Sequence, residues 1–421
     1  MKVHLRTFGC RANHYDSEAM RAMLVAGGHQ LVDSPTDADA AVFNSCAVTS
    51  AAEAELRKSV RAAARRNPGL RSIVTGCAAA LDARRADSPI AALPGVSDVI
   101  AGADLPAVAA ALGLVGAGAD AGTGITTGTS WQSTARAVLR VQEGCDEHCT
   151  FCVTTVARGA NRSRPVESLV AEAMVLAGHH EEIVITGIHV GSYGLDVGTS
   201  LGALMETLIA RVPRVRFRLS SIEATEVDER LFDLFVAGDR LAPHLHAPLQ
   251  SGCARVLRRM GRHWYTPATY ARAVERLAAA VPHFGLGADV IAGFPGETDA
   301  EHGETMALVR SLPFTYLHVF PFSTRPEAPA AALPQHLGGA VISARAAELR
   351  ALGEAKAAAH RRRRIATLAD VIAATGGPGR EGVTEDYLTV AVPDSVPRGT
   401  RYRAQLQEGQ HPLILRAEIA P

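Results

Sequence analysis

Residues 144–152 read GCDEHCTFC, with Cys145, Cys149 and Cys152 in the spacing CxxxCxxC. A structural zinc site normally closes a tetrahedron with four Cys or His ligands, usually offered as two separated pairs. Three Cys on one short loop leave one coordination position open. Because Val153 rather than His follows Cys152, a haem attachment site is excluded. Soft thiolates select zinc, copper(I) or iron–sulfur clusters, so the loop predicts a metal centre that can bind a further ligand.

This loop directly follows the first of several strand-like runs that alternate with amphipathic, helix-like segments such as residues 165–177 and 267–281. The strand-like runs lie at residues 137–141, 182–186, 215–220, 244–248, 285–291 and 316–322. Six such repeats predict a partial (β/α)6 barrel of the TIM type. The functional face of such a barrel lies at the carboxyl ends of its strands, and the cysteine loop is placed there.

Three more cysteines, Cys10, Cys46 and Cys77, each follow a strand-like run near the amino terminus. Helix-like stretches at residues 16–27 and 51–66 separate these runs, which predicts a parallel α/β domain. Carboxyl ends of parallel strands meet at one edge of a sheet, so the three thiols are expected to converge. Isolated cysteines are more often small buried residues. That alternative remains open for this group.

The rest of the chain suggests where the domains end. Residues 115–130 are rich in Gly and Thr and predict a linker, and residues 343–364 predict one long helix. Short strand-like pieces then follow at residues 370–376, 385–393, 401–409 and 413–421. They predict a small β-barrel, either a nucleic-acid-binding module or a plain capping domain. The predicted domains are residues 1–114, 131–360 and 361–421.

Composition sets limits on the partners and the compartment. The chain has 43 basic and 43 acidic residues, so any polyanionic partner must be held by local charge clusters. The amino terminus lacks a charged segment followed by an apolar one, and the longest small-apolar run, residues 107–119, is shorter than a membrane span. Seven cysteines argue against a complete disulfide framework. We expect a cytoplasmic protein without membrane contact.

The cysteine loop, with Phe151 before the third Cys, resembles that of the radical S-adenosylmethionine enzymes. Further segments resemble the methylthiotransferase family: GCRANHYDSE, NSCAVT and TGCAA near the amino terminus, then ITGIHVGSYG, RLSSIEA, HLHAPLQSG, VLRRMGRHW and ADVIAGFPGET in the barrel. The last part of the chain resembles the RNA-binding TRAM domain. The resemblance covers nearly the whole chain and implies an α/β protein with a TRAM-like β-barrel at its carboxyl end.

This resemblance implies two [4Fe–4S] clusters and S-adenosyl-L-methionine as cofactors. Cys145, Cys149 and Cys152 would hold the catalytic cluster, which cleaves the cofactor to a 5′-deoxyadenosyl radical. Cys10, Cys46 and Cys77 would hold a second cluster that carries the sulfur to be transferred. An external electron donor such as flavodoxin or ferredoxin is implied as well.

The resemblance also implies a substrate. GCRANHYDSE and TTVARGANRSRP look most like the branch that adds a methylthio group to C2 of N6-threonylcarbamoyladenosine at position 37, in the anticodon loop of tRNA. Related branches act on N6-isopentenyladenosine in tRNA or on a ribosomal protein. A protein with two structural iron–sulfur clusters that binds RNA without catalysis is a third interpretation. Intact SSIEA and GFPGET segments argue against it, because a scaffold needs no cofactor pocket.

Other residues are candidates for contacts with the cofactor or with RNA. We expect Phe151, Ser221, Glu223, Asp289 and Gly293 to contact the cofactor, although each also fits an ordinary strand-end or core position. Arginines at helical spacing are expected to face a phosphate backbone or to form a solvated surface: Arg255, Arg258, Arg259, Arg262 and residues 361–364. Cys253 is not assigned as a ligand.

Overall fold

The computed structural model describes residues 1–47, 49–114, 132–238, 240–376, 379–409 and 414–419. The predicted linker, residues 115–130, lies outside the described residues. Among those ranges, no helix combines the length and apolar character that a membrane crossing requires. The amino-terminal part, the middle of the chain and the carboxyl-terminal part form separate sheets.

The amino-terminal sheet is entirely parallel, in the order β2-β1-β3-β4-β5. Its strands are β1 (Lys2–Thr7), β2 (Gln30–Leu31), β3 (Ala40–Ser45), β4 (Arg71–Gly76) and β5 (Val96–Val99). Its helices are α1 (Arg11–Ala26), α2 (Ser50–Arg66), α3 (Cys77–Asp82) and α4 (Leu105–Ala111). The predicted parallel α/β domain is therefore confirmed.

Helices cover both faces of this sheet, which is why its middle strand, β3, is buried along its whole length. Every residue of β3, which reads AAVFNS, is buried. Met20 of α1 and Val108 of α4 pack on one face, and Leu56 of α2 packs on the other. The three cysteine-bearing strands β1, β3 and β4 are neighbours at the centre of the sheet.

The middle of the chain forms the predicted open barrel. Its strands are β6 (Ala137–Arg140), β9 (Glu182–Thr186), β10 (Arg216–Leu219), β11 (His244–His246), β12 (Gly285–Ala292) and β13 (Tyr316–Pro321), with a small antiparallel pair formed by β7 (Gln142–Glu143) and β8 (Arg162–Ser163). The first three and the last three barrel strands pair in parallel, and a parallel bridge between Ser221 and His246 joins the two halves. All six strands predicted from sequence are present.

Helices follow the barrel strands and pack outside them. They are α5 (Thr154–Arg158), α6 (Val166–Ala177), α7 (Leu201–Arg211), α8 (Glu229–Ala237), α9 (Ala254–Arg259), α10 (Pro267–Ala280), α11 (Asp299–Ser311) and α12 (Gly339–Arg364). Local sequence sets several starts: Thr266 caps α10 before Pro267, and Thr298 forms a capping box with Glu301 at the start of α11. Helix α12 runs through the predicted boundary at residues 360–361.

The carboxyl-terminal part is a closed five-stranded barrel in the order β14-β15-β16-β18-β17. Its strands are β14 (Leu368–Ala373), β15 (Glu381–Val383), β16 (Thr389–Ala391), β17 (Arg401–Gln407) and β18 (Leu415–Ile419). The small β-barrel predicted from sequence is confirmed. Strand β15 was not predicted, because its three residues are too short to show an alternating pattern.

The loop between β15 and β16 reaches into the amino end of the large barrel. Arg218 of β10 donates to the carbonyl oxygens of Thr384 and Glu385, each at 2.9 Å. The ring of Tyr387 stacks on His244 with centroids 4.3 Å apart. Because His244 is the first residue of β11, Tyr387 occupies the amino end of the barrel interior.

Candidate functional site

Cys10, Cys46 and Cys77 converge at the carboxyl ends of β1, β3 and β4. Cys46 and Cys77 are buried and Cys10 is exposed. Burial raises the pKa of the Cys77 thiol to about 11 although Arg158 opposes the rise, and the thiols of Cys10 and Cys46 add to it. Gly9, at φ +91°, leaves the space that the Cys46 side chain occupies. The structure thus brings the three predicted thiols together at one sheet edge.

Two asparagines join the strand ends that carry these thiols. The Asn13 side-chain amide donates to the carbonyl oxygens of Phe8 and Ser45, both at 2.8 Å. Asn44 donates in return to the Asn13 carbonyl oxygen at 2.8 Å. These bonds fix the end of β1 against the end of β3, so Cys10 and Cys46 are held side by side.

The second triplet lies on the loop between β7 and α5, and main-chain bonds hold this loop to the barrel. The Cys145 N–H donates to the Gly159 carbonyl oxygen at 3.0 Å, and the Thr150 N–H donates to the Met260 carbonyl oxygen at 2.8 Å. Residues Cys145, Cys149 and Cys152 are all half-buried. The main-chain bonds therefore fix these half-buried residues in place.

A buried ion pair stands directly behind Cys149. Arg262 donates to the Cys149 sulfur at 3.5 Å, forms a close ion pair with Glu223, and donates to the Tyr265 hydroxyl at 3.0 Å. Burial raises the pKa of the Cys149 thiol to about 12 although the guanidinium opposes the rise. Glu223, predicted as a cofactor contact, is thus occupied in orienting Arg262.

His189 supports the same triplet from another side. Its Nδ1 lies 3.8 Å from the Cys145 sulfur, and its Nε2 lies 2.8 Å from a Glu226 oxygen. Burial lowers the pKa of His189, but its bonds to Cys145 and Glu226 outweigh burial and raise the pKa to about 10. The sequence pattern assigned no role to His189.

A cavity of about 150 Å³ opens beside the second triplet. Phe151 and Asp289, both predicted to contact the cofactor, line it together with Gln250 and Ile291. Two other predicted residues lie elsewhere. Ser221 is exposed and bridges to His246, and Gly293, at φ +76°, packs so closely on Ile342 that a β-carbon would lie 2.7 Å from that side chain.

Asp289 is held by two histidines on neighbouring strands. The Nε2 atom of His246 lies 2.9 Å from Asp289 Oδ1, and the Nδ1 atom of His318 lies 3.3 Å from the same oxygen. Burial raises the pKa of Asp289, and the two histidine hydrogen bonds outweigh burial and lower it below its ordinary value. The Tyr316 hydroxyl then bridges His246 and His244, at 3.0 and 2.9 Å. This row of buried and half-buried polar side chains, from His244 to Asp289, ends at the cavity.

Two arginines predicted to face a phosphate backbone point inward instead. Arg262 has only 4% of its side chain exposed. Arg364 is fully buried and pairs with Glu385 and Asp386 at 2.7 and 3.0 Å. The phosphate prediction is therefore wrong for these two residues. Arg362 and Arg363, at the same helix end, are exposed.

Both triplets suit iron–sulfur clusters. Each presents three soft thiolate donors and leaves one coordination position open, which is the donor set of a [4Fe–4S] cluster with a free iron. Cys253 takes no part, since it is buried at the start of α9 with its sulfur 3.8 Å from a Glu301 oxygen. That agrees with leaving Cys253 unassigned.

Known proteins resemble this chain over most of its length. The family model described as "Uncharacterized protein family UPF0004" matches residues 2–102, and the "Radical SAM superfamily" model matches residues 139–309. The threonylcarbamoyladenosine tRNA methylthiotransferase MtaB of Bacillus subtilis is 35% identical over 366 residues, which cover 84% of this chain and 80% of that protein. Relatives of the same name from other bacteria are up to 36% identical.

Two further similarities concern a related enzyme and the fold. The tRNA-2-methylthio-N(6)-dimethylallyladenosine synthase of Sorangium cellulosum is 33% identical, covering 88% of this chain and 81% of that protein. The solved structure of TsrM, a radical S-adenosylmethionine methyltransferase from Kitasatospora setae with cobalamin and a [4Fe–4S] cluster bound, has a TM-score of 0.57 at 14% identity. It covers 78% of this chain and 77% of its own, and it shows the fold alone.

The barrel and its cysteine loop are those of a radical S-adenosylmethionine enzyme. Such an enzyme uses a [4Fe–4S] cluster and S-adenosylmethionine. Within this class, the chain belongs to the methylthiotransferase family, in the branch that carries the name MtaB. The expectations of family and of a transferase are thereby confirmed.

Proposed function

We propose that this enzyme adds a methylthio group to C2 of N6-threonylcarbamoyladenosine at position 37 of tRNA. The names of its relatives support the substrate. The observation that carries the reaction is the placement of two cysteine triplets on either side of the short helix α5. A methyltransferase or a simple radical enzyme needs only one such triplet. Sulfur insertion at an unactivated carbon calls for both a radical source and a sulfur site.

We assign Cys145, Cys149 and Cys152 to the radical-generating cluster, and Cys10, Cys46 and Cys77 to a second [4Fe–4S] cluster. When bound, these groups supply one-electron cleavage of S-adenosylmethionine and a site for the transferred sulfur. The chain itself orients the thiolates through Arg262 and His189. Phe151 and Asp289 line the cavity where the cofactor and the target base would meet. Shielding from water by the barrel wall would protect a reactive intermediate there.

The proposed division of labour follows the predicted domains, residues 1–114, 131–360 and 361–421. The first would hold the sulfur site, the second the radical site and the third, TRAM-like barrel the RNA. The target base must leave the anticodon loop to reach the barrel, which is how proteins usually read unstacked RNA bases. A flavodoxin or ferredoxin in the cytoplasm would supply the electrons.

Arg362 and Arg363 are the exposed arginines best placed to contact the RNA, since they end α12 immediately before the small barrel. Replacing both with Ala should weaken tRNA binding and lower its salt dependence by about one unit of slope per lost phosphate contact. The matched control replaces Arg65 and Arg66, which are also exposed and end α2. Binding isotherms at several salt concentrations test this, and equal slopes in the two double variants would contradict it.

The reaction itself is tested by mass spectrometry of tRNA nucleosides from cells with and without the gene. We expect loss of 2-methylthio-N6-threonylcarbamoyladenosine and accumulation of its unmodified precursor. Return of the gene should restore the product, whereas the Cys149→Ala variant should not. If this nucleoside is unchanged and the isopentenyladenosine derivative is lost instead, the substrate proposal is wrong. If neither nucleoside changes, the tRNA substrate is wrong, and a ribosomal protein is the next substrate to test.

A further inference from the structure

Helix α5 is the direct link between the two cysteine triplets. It begins two residues after Cys152 and ends at Arg158. Val153, just before it, is buried in the hydrophobic core of the amino-terminal domain, and Val156 and Ala157 pack against the same core. The segment that follows Cys152 therefore packs into the domain that carries Cys10, Cys46 and Cys77.

Arg158 extends this link to the Cys77 thiol. Its Nε donates to the Cys77 sulfur at 3.1 Å, and its Nη2 donates to Asn13 Oδ1 at 2.5 Å. The guanidinium also pairs with Asp16 at 2.9 Å and Glu143 at 3.3 Å. Only 4% of its side chain is exposed. Arg158 thus contacts Cys77 and Asn13 in the amino-terminal domain, and it contacts Glu143 in the barrel.

The charges around Arg158 are balanced only while it is present. Asp16 and Glu143 face two guanidinium groups, those of Arg158 and Arg140. Removing the charge of Arg158 would leave two carboxylates facing one arginine beside Cys77. Hydrogen bonds to the ligating sulfurs and the net charge nearby both set the reduction potential of an iron–sulfur cluster. A cation that donates to a ligating sulfur stabilises the more negative, reduced state.

We propose that Arg158 is a positioning residue that holds the Cys77 thiolate and raises the reduction potential of a cluster at Cys10, Cys46 and Cys77. Through α5, it also fixes the place of that cluster relative to the radical site. This inference rests on the second cluster of the proposed function. A merely structural ion pair at the domain seam would contribute stability and leave the potential unchanged.

The test isolates the cluster in question. The full chain with Cys145, Cys149 and Cys152 replaced by Ala is reconstituted anaerobically with iron and sulfide, and its midpoint potential is measured by redox titration with electron paramagnetic resonance. Adding Arg158→Gln should shift the potential to more negative values. Arg158→Lys keeps the charge and should shift it less. The matched control is Arg164→Gln, which removes another largely buried guanidinium at the same seam, where it pairs with Glu172 and Tyr15.

Each outcome decides a different point. An unchanged potential in Arg158→Gln, or an equal shift in Arg164→Gln, would overturn the inference. Loss of the cluster in Arg158→Gln alone, with the circular dichroism of the fold intact and with Arg158→Lys still loaded, would support the holding of Cys77. If the parent chain without the radical triplet binds no cluster at all, the second cluster of the proposed function is wrong. That failure is visible before any Arg158 variant is measured.

Discussion

The cysteines differ in what surrounds them rather than in burial alone. Cys77 and Cys253 are both buried, but Cys77 contacts a guanidinium and lies near other thiols, whereas Cys253 lies beside a carboxylate. A thiolate that binds metal is favoured by a neighbouring cation, and a carboxylate disfavours it. Individual neighbours therefore distinguish the assigned ligands from a core thiol, and Cys253 becomes a useful internal control.

Replacing Cys149 with Ala should abolish the formation of 5′-deoxyadenosine from S-adenosylmethionine by the reduced enzyme, because the radical site would lose one of its three ligands. Chromatography of the reaction mixture measures the product. The Cys253→Ala variant removes a buried thiol of the same barrel and should retain cleavage. Equal cleavage by the two variants would show that Cys149 is not a ligand.

Arg262 offers a test of stability at the same site. Arg262→Met leaves Glu223 buried without its partner, and such a change typically lowers the free energy of unfolding by about 3–5 kcal/mol. Urea unfolding followed by tryptophan fluorescence measures the loss. Arg211→Met breaks an exposed pair with Glu167 and should leave the midpoint where it was. If both variants unfold at the same urea concentration, the buried pair does not contribute as described.

Arg262 also shows where residue-level prediction failed. Its spacing from Arg255, Arg258 and Arg259 suggested one continuous helix face, but α9 ends at Arg259 and Gly261 turns the chain at φ +76°. The turn directs Arg262 inward to Glu223. Asp289, predicted to contact the cofactor, lines the cavity, whereas its partners His246 and His318 lie on strands far away in sequence. Such partnerships form only when the barrel closes.

At the level of secondary structure, a glycine precedes a cysteine that we propose as a ligand in three places. Gly9, Gly76 and Gly144 all have positive φ, and a side chain at each would collide with a neighbouring segment. Each glycine therefore lets the chain turn sharply from a strand into the cysteine position while other atoms approach closely. The turns place the thiols beyond the strand ends, where a cluster would fit.

Gly144→Ala should disrupt the radical-site loop, because its β-carbon would collide with the main chain of Gly159 and Ala160. Cluster loading at that triplet and cofactor cleavage should fall together, as measured by iron content and product formation. Gly198→Ala is the matched control: its φ is +71°, close to +73° at Gly144, but nothing lies within 4 Å of an added β-carbon. A similar loss in both variants would assign the effect to backbone strain alone.

The elements themselves were largely predictable. Strands in parallel sheets are often buried on both faces, and β6 and β12 read as mainly apolar runs, whereas β10 reads RFRL with both arginines buried. The pieces that escaped prediction are short: β2, β7 and β8 have two residues each, β15 has three and β5 has four. Runs of that length carry too few side chains for a pattern, and pairing with neighbouring strands decides their structure.

At the level of the whole molecule, residues from all three regions meet inside the barrel. Arg11, which follows Cys10, donates to the Tyr387 hydroxyl at 2.8 Å, and Tyr387 stacks on His244. The guanidinium groups of Arg136 and Arg218 lie within 5.9 Å of the same ring centroid. None of this was visible in the sequence, because the three regions share no local pattern. The carboxyl-terminal barrel thus contributes to the interior of the catalytic domain.

Tyr387→Ala should open the amino end of the large barrel and admit water toward the cavity that Phe151 and Asp289 line. We expect more 5′-deoxyadenosine to form for each methylthiolated nucleoside, because intermediates would be quenched before they react. Quantifying both products in one reaction gives this ratio. Tyr402→Ala, which removes a partly buried ring of the same small barrel, should keep the ratio of the unaltered enzyme. A rise in both variants would point to a general loss of the domain.

The position of Tyr387 limits the routes by which molecules can enter and leave the enzyme. A molecule arriving from the amino end of the barrel would meet this ring and its arginines, so we expect cofactor and nucleoside to approach from the carboxyl ends of the strands. A base bound at that entrance would then block the exchange of cofactor bound deeper in the barrel. We therefore expect ordered binding. The cofactor binds first and the tRNA binds second, and each tRNA must dissociate before spent cofactor is replaced.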